Sequence, residues 1–194
     1  MACGLPGTGK TSSTEYLEER LGHFDRYGTN ETRRALGFKR YSWRQIPVVF
    51  GRMYNNAQDS LTEGRGVILE ANYKHPFSRQ NVYNIADCFR TEVIVIEFIC
   101  SEKESKRRMR HRKKNDGLVT SPRDTRVYDR VKSLWHDTTI DLEFNPHVSL
   151  IRYNTETDIS ERVCVNLNIS PLVDVVERLL VEYSSSFQSS MKPS

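Results

Sequence analysis

The chain has 194 residues, 37% of them hydrophobic and 28% charged, with a formal net charge of +4; this suits one globular domain with its own core, and the charge is too mild to demand a nucleic-acid partner. Cys3, Cys88, Cys100 and Cys164 form no CxxC pair, which argues against zinc and for buried free thiols in a reducing compartment. No apolar run nears the roughly 20 residues that span a bilayer, and Met1-Ala2-Cys3 offers no signal peptide, so a cytosolic protein with no membrane partner is expected.

In chain order, residues 9–22 read as a helix, with Leu17 and Leu21 one turn apart and Gly22 as its stop. Residues 24–27 read as a short strand. A helix over 43–63 places Ile46, Phe50, Met53, Ala57 and Leu61 on one face, and Glu63-Gly64-Arg65-Gly66 breaks it before a buried strand at 67–71. Residues 77–90 return to helix, with Val82, Ile85, Ala86 and Phe89 at helical spacing. The near-continuous apolar run at 93–100 is the strongest strand signal and suits a parallel sheet covered on both faces. A basic helical run spans 102–114, and Asn115-Asp116-Gly117 is a turn. A helix at 122–136 turns Val127, Val131, Leu134 and Trp135 inward, a last strand covers 148–153, and an amphipathic helix runs from Leu172 to Tyr183. The serine-rich segment from Ser184 reads as a disordered tail after a single domain at 1–183.

Strands alternating with helices predict a three-layer α/β fold with a parallel sheet. The loop Gly4-Leu5-Pro6-Gly7-Thr8-Gly9-Lys10-Thr11 meets the pattern GxxxxGK[ST] in full. Its glycines let backbone N–H groups turn inward around phosphate oxygens, and the helix over 9–22 adds the positive end of its dipole, with Ser12 in its first turn a further nucleotide-binding residue. The pattern predicts ATP with Mg²⁺. Lys10 reaches the β- and γ-phosphates, and the Thr11 hydroxyl is a metal ligand. Only three residues precede Gly4, whereas such a loop normally leaves the end of a buried strand. Either the first strand is very short, or the chain starts late relative to a longer parent. The second is the expectation, a truncated first strand, although a missing central strand would leave two neighbours unpaired.

GLPGTGKT, then NETRR, then GRGVILEAN, then RRMRHR together resemble the small P-loop kinases. These include polynucleotide 5′-hydroxyl kinase, gluconate kinase, and the zeta-toxin and chloramphenicol phosphotransferase kinases. The resemblance runs from Gly4 to about Tyr183 and selects no substrate. It implies transfer of a γ-phosphoryl group from ATP to a hydroxyl of a small-molecule or nucleic-acid acceptor. It also implies an acceptor segment at Thr29-Asn30-Glu31-Thr32-Arg33, where Arg33 keeps the family's acceptor-holding arginine. Asn30 stands where the family has an aspartate that activates the hydroxyl. An amide cannot take a proton as a carboxylate does. Either Glu31 substitutes as base, or positioning alone supplies the rate; equally, Asn30 is only a helix cap. A nucleotide-binding pseudokinase is the alternative to an active enzyme.

Glu70, at the end of the second predicted strand, is expected to hold a Mg²⁺-bound water or the acceptor, the other reading being a surface carboxylate at a strand end, and Asn72 and Arg79 are further acceptor-side candidates. Arg79 reads equally well as a solvated helix residue. The resemblance makes residues 103–120 a lid. Arg108 and Arg112, one turn apart, are expected at the ATP phosphates and at the transition state, with Arg107 as substitute. Ser121, Arg123 and Arg126 open the next helix, and Arg126 also comes within reach of the nucleotide. A solvated basic face, or one that binds nucleic acid, is the other reading of this run.

Overall fold

Successive side chains on a strand point to opposite faces, so a strand covered on both sides needs apolar residues at consecutive positions. The computed structural model, which describes residues 1–112 and 124–190, shows this arrangement in the central strands of its sheet. Its strands are β1 (Ala2–Gly4), β2 (Phe24–Gly28), β3 (Gly66–Glu70), β4 (Val93–Ile99), β5 (Val148–Asn154) and β6 (Ile159–Cys164). They stand in the order β2-β3-β1-β4-β5-β6. Cys3, Leu69, Val95 and Leu150 turn to one face, and their neighbours Ala2, Ile68, Ile96 and Ile151 to the other.

The helices are α1 (Lys10–Leu21), α2 (Thr29–Ala35), α3 (Ile46–Thr62), α4 (Pro76–Phe89), α5 (Glu102–His111), α6 (Arg126–Ser133) and α7 (Ser170–Ser190). α3 and α4 cover the first face through Val49, Met53, Ala57, Val82 and Ala86. α1 and α7 cover the second through Leu17, Val173, Val176 and Leu180. The result is the expected three-layer fold.

The first strand is short, as expected, and central: Ala2 pairs with Glu70 of β3, while Ala2, Cys3 and Gly4 pair with Ile96, Glu97 and Phe98 of β4. The amino terminus continues that ladder, donating to the Ile94 carbonyl at 2.7 Å. Other expectations are corrected. The sheet is not wholly parallel, because β6 runs antiparallel to β5 at the edge. Its sequence, ISERVC, is mostly exposed and so lacks the apolar run that marks a buried strand. The predicted helix at 43–63 opens as a short 3₁₀ turn, Trp43–Gln45, and Ile46 stays exposed while Val49 is buried. Leu134 is likewise exposed, beyond the end of α6. α7 continues past Ser184 to Ser190, where an unstructured tail was expected. All four cysteines are free, but Cys88 and Cys164 are exposed rather than buried. Among the described residues no helix is long and apolar enough to cross a membrane.

Parallel register sets the stage for a site. Gly28 ends β2 beside Glu70, which ends β3, and Glu70 lies across from Ala2 of β1. The carboxyl ends of β2 and β3 therefore meet, and β1 runs on past them to Gly4, toward the edge where ligands of open α/β sheets bind.

Candidate nucleotide and acceptor site

The loop between β1 and α1 has close backbone approaches that exclude side chains. A Cβ at Gly4 (φ 141°) would lie 2.3 Å from the Phe98 carbonyl oxygen, and one at Gly7 (φ 87°) 2.5 Å from that of Ser105. The loop is thus pressed against the end of β4 and against α5. Leu5 and Pro6 are half-buried at its tip and Ser12 is exposed on the first turn of α1. The N–H groups of Lys10, Thr11 and Ser12 lie in a helix's first turn, where no preceding turn supplies acceptors. Thr8 donates its hydroxyl to the Leu5 carbonyl at 2.9 Å. Lys10 folds back, donating to the carbonyls of Gly4 at 2.9 Å and Leu5 at 2.8 Å. Burial lowers its pKa to about 8, against the nearby negative charge of Glu70.

Glu70 is buried, at 6% exposure. It accepts from the Thr11 hydroxyl at 2.8 Å, from Thr14 at 3.4 Å and from Arg26 at 3.2 Å. Arg26, on β2, is the center of this side of the site. It also donates to Glu31 and to Glu18 at 3.1 Å, with Glu15 at 3.5 Å. Burial opposes its charge, but the bonds to Glu31, Glu70 and Glu18 outweigh burial and raise its pKa. The packing is close: a Cβ at Gly28 would lie 3.2 Å from Glu70 Oε2 and 3.3 Å from Glu31 Oε2. Glu31 and Glu70, separate candidates in the sequence, therefore belong to one cluster. Arg26 was missed, since one arginine in the short string Phe24-Asp25-Arg26-Tyr27-Gly28 carries no motif.

Asn30 is not the cap of α2. Gly28 holds that position, and the helix begins at Thr29, so Asn30 lies in its first turn. Arg33 is buried on the same helix, with its Nε lacking any hydrogen-bond partner and its guanidinium facing the Tyr41 ring at 5.0 Å. The Asn72 backbone carbonyl accepts from Gly4 N–H at 3.3 Å, which places Asn72 beside the loop. Arg79 is corrected on both readings, because it is fully buried and neither solvated nor open to an acceptor. Its donors go to Asp141 and to the carbonyls of Tyr73, His136 and Asp137. Those bonds use all five of its N–H groups.

The basic helix is less anion-starved than its charge density suggests. Lys106 pairs with Glu102 and Asp129, while Arg107 and Arg108 share Glu104. Arg107 is mostly exposed. Arg108 turns inward, donating to the Thr155 hydroxyl at 2.7 Å and carbonyl at 2.8 Å. That hydroxyl in turn donates to the Thr8 carbonyl at 3.0 Å. Thr155, in the β5–β6 turn, thus ties Arg108 to the phosphate loop; no sequence pattern pointed to it. Arg112 follows α5 and is close enough to Lys10 to contribute to its lowered pKa. Arg126 is exposed and bonded to Asp124. The rest of the predicted lid, and Ser121 and Arg123 at the start of the helix predicted after it, lie outside the described residues.

A GxxxxGK[ST] loop leaving the central strand of a parallel sheet, with a buried carboxylate bonded to its Thr11, defines a P-loop NTPase fold. The chain belongs to the AAA domain family, whose model matches residues 1–135. Two solved structures share the fold over nearly the whole chain. A candidate kinase from Chloroflexus aurantiacus is 17% identical, with 91% of this chain and 95% of that one covered and a TM-score of 0.63. Kti12 from Chaetomium thermophilum, solved in complex with ADP-AlF3, is 14% identical, with 99% and 98% covered and a TM-score of 0.58. No curated protein matches. The resemblance to small P-loop kinases is therefore borne out as a resemblance of fold.

Proposed function

We propose that this protein is an ATP-dependent phosphotransferase that moves the γ-phosphoryl group to a hydroxyl acceptor. The observation that carries the reading is the cluster of Glu70 and Glu31 around Arg26, one carboxylate bonded to the phosphate loop and the other in the first turn of α2. A loop that only held nucleotide would have no use for a second carboxylate on its acceptor side.

Lys10 exchanges its contacts with the Gly4 and Leu5 carbonyls for the β- and γ-phosphates, while first-turn N–H groups hold the phosphate oxygens. The Thr11 hydroxyl and the Glu70 carboxylate, both hard oxygen donors at 2.8 Å from each other, fit Mg²⁺. Thr11 would ligate it directly and Glu70 through bound water, which suits an ion that keeps several waters. When bound, Mg²⁺ neutralises phosphate charge. The acceptor oxygen bonds to the γ-phosphorus as the bridging P–O bond to ADP breaks, and Glu31 takes the hydroxyl proton. Arg33 holds the acceptor. Arg108 and Arg112 face the transferring group from the α5 side, where their charge offsets that of the equatorial oxygens.

Asn30 favours a second reading, a nucleotide-binding module that transfers nothing. Labelled ATP offered with a panel of hydroxyl compounds to wild type, Asn30→Asp and Glu31→Gln tests both. Transfer by wild type supports the kinase. Inert wild type with an active Asn30→Asp supports the module.

A further inference from the structure

Cations on a protein surface are neutralised by neighbouring carboxylates or remain available to anions from solution. On α5, Lys106, Arg107 and Arg108 are of the first kind, satisfied by Glu102, Glu104 and Asp129. The segment from α2 into α3 is of the second kind. Between Glu31 and Asp59 the chain has no acid and carries Arg33, Arg34, Lys39, Arg40, Arg44 and Arg52. Among the described residues none of these six enters an ion pair.

Arg33 is the sharpest case. It is only 5% exposed, its Nε has no partner, and its hydrogen bond to the protein is a long one, Nη1 to the Thr29 carbonyl at 3.4 Å. A guanidinium buried without a carboxylate is poised for an anion from outside. Aromatic rings accompany the charge. Tyr41 faces Arg33 and is half exposed, and Trp43 is 70% exposed with the Arg44 guanidinium 5.5 Å from its ring centroid. α3 precedes a strand parallel to β2, so it runs back down the sheet. Its amino-terminal end, with the Trp43–Gln45 turn, therefore lies at the same edge as Gly28 and Glu70.

Interleaved cations and exposed rings are what a single-stranded nucleic acid needs: cations meet phosphates, and bases stack on rings. A duplex hides its base faces. A small anionic acceptor would engage Arg33 alone and leave the Trp43–Arg44 pair without a role. We propose that the segment from Arg33 to Arg52 binds a single-stranded polynucleotide whose terminal hydroxyl is the phosphoryl acceptor. The phosphate next to that end sits on Arg33, and adjoining bases stack on Tyr41 and Trp43. The acceptor half of this proposal rests on the phosphotransfer reading; the binding half does not. The terminal oxygen gains the γ-phosphorus, ADP leaves with the bridging oxygen, and the hydroxyl proton passes to Glu31.

The test is fluorescence anisotropy of full-length protein with short single-stranded RNA, single-stranded DNA and duplex, each with free hydroxyl ends, across a salt series. Single strands are expected to bind, more weakly as salt rises, and more tightly than duplex; the RNA and DNA arms identify the sugar. Trp43→Ala and Arg44→Ala are each expected to weaken binding about tenfold. Trp43→Phe should retain most affinity, and Lys103→Ala, on α5, should change nothing. Trp43 and Arg44 are exposed, so these variants keep the fold. Absence of saturable binding at low salt, equal binding of duplex, or binding indifferent to both Trp43→Ala and Arg44→Ala overturns the proposal. Lys10→Ala should bind the strand but transfer no labelled phosphate. Transfer to a small hydroxyl compound without strand binding overturns this proposal and leaves the kinase reading standing. Strand binding by a wild type inert toward every acceptor overturns the acceptor half and the kinase reading together.

Discussion

Glu31 and Glu70 share one guanidinium: Arg26 donates to Glu31 through Nη2 and to Glu70 through Nη1 at 3.2 Å. The two carboxylates differ in surroundings. Glu70 is buried and bonded to Thr11 of the loop, whereas Glu31 is more exposed, at 30% of its side chain against 8%. On the proposed phosphotransfer, the more exposed member would meet the acceptor and the buried one would hold a metal-bound water.

That division predicts different losses. Glu31→Gln is expected to cut transfer by about 10²–10⁴-fold with nucleotide affinity kept, the usual worth of a general base. Glu70→Gln is expected to raise the Mg²⁺ concentration needed for half-maximal rate. Initial rates over a Mg²⁺ titration separate them; a Glu31→Gln enzyme at wild-type rate assigns the proton elsewhere.

The Lys10 amine predicts a pH dependence. Burial brings its pKa from an ordinary 10.5 to about 8, and bound phosphate favours the charged form. Below pH 8 the amine is already charged and nucleotide affinity should be flat. Between 8 and 10.5 the free protein must take up a proton to bind, so affinity falls as pH rises. Calorimetry at pH 9 in two buffers of different ionisation enthalpy should show proton uptake, and Lys10→Arg should abolish it. In the same window the unfolded chain holds a proton that the folded chain has lost, so the nucleotide-free protein gains stability with rising pH. Lys10→Ala should nearly abolish nucleotide binding.

Arg79 and Asp141 form a buried pair, at 0% and 4% side-chain exposure, that joins α4 to the 3₁₀ segment before β5. Removing one partner leaves a buried charge uncompensated. Asp141→Asn is expected to cost about 3–5 kcal/mol, read as a lower urea midpoint with unchanged slope. Nucleotide affinity of the folded protein should stay near wild type, since neither side chain reaches the loop.

Thr155 couples Arg108 to Thr8. Thr155→Val removes the bond to the Thr8 carbonyl and the one received from Arg108 Nη1, about 1 kcal/mol each, and is expected to weaken nucleotide binding several-fold. If the coupling runs through the hydroxyl, Arg108→Ala should cost less in the Thr155→Val background than in wild type. Strictly additive losses would show that the two residues act separately.

The phosphate loop and the three-layer fold were legible because each is written locally. A GxxxxGK[ST] string needs only its own glycines and the helix after it. A strand covered on both faces shows as consecutive apolar residues whatever its neighbours are. Glu31, Arg33 and Glu70 were legible as single positions at strand and helix ends. What packing alone decided was their company. Arg26 and Arg79 look alike in sequence, yet one gathers the carboxylates of the site and the other is consumed by a structural pair, because hydrogen-bond partners come from remote segments. The same holds for the basic run of α5 and the plainer cations from Arg33 to Arg52. Charge density is a property of sequence, but whether an acid lies within reach is decided by the fold. β1 shows the same division: three residues are too few to read as a strand, and they become one because β3 and β4 offer backbone partners on both sides.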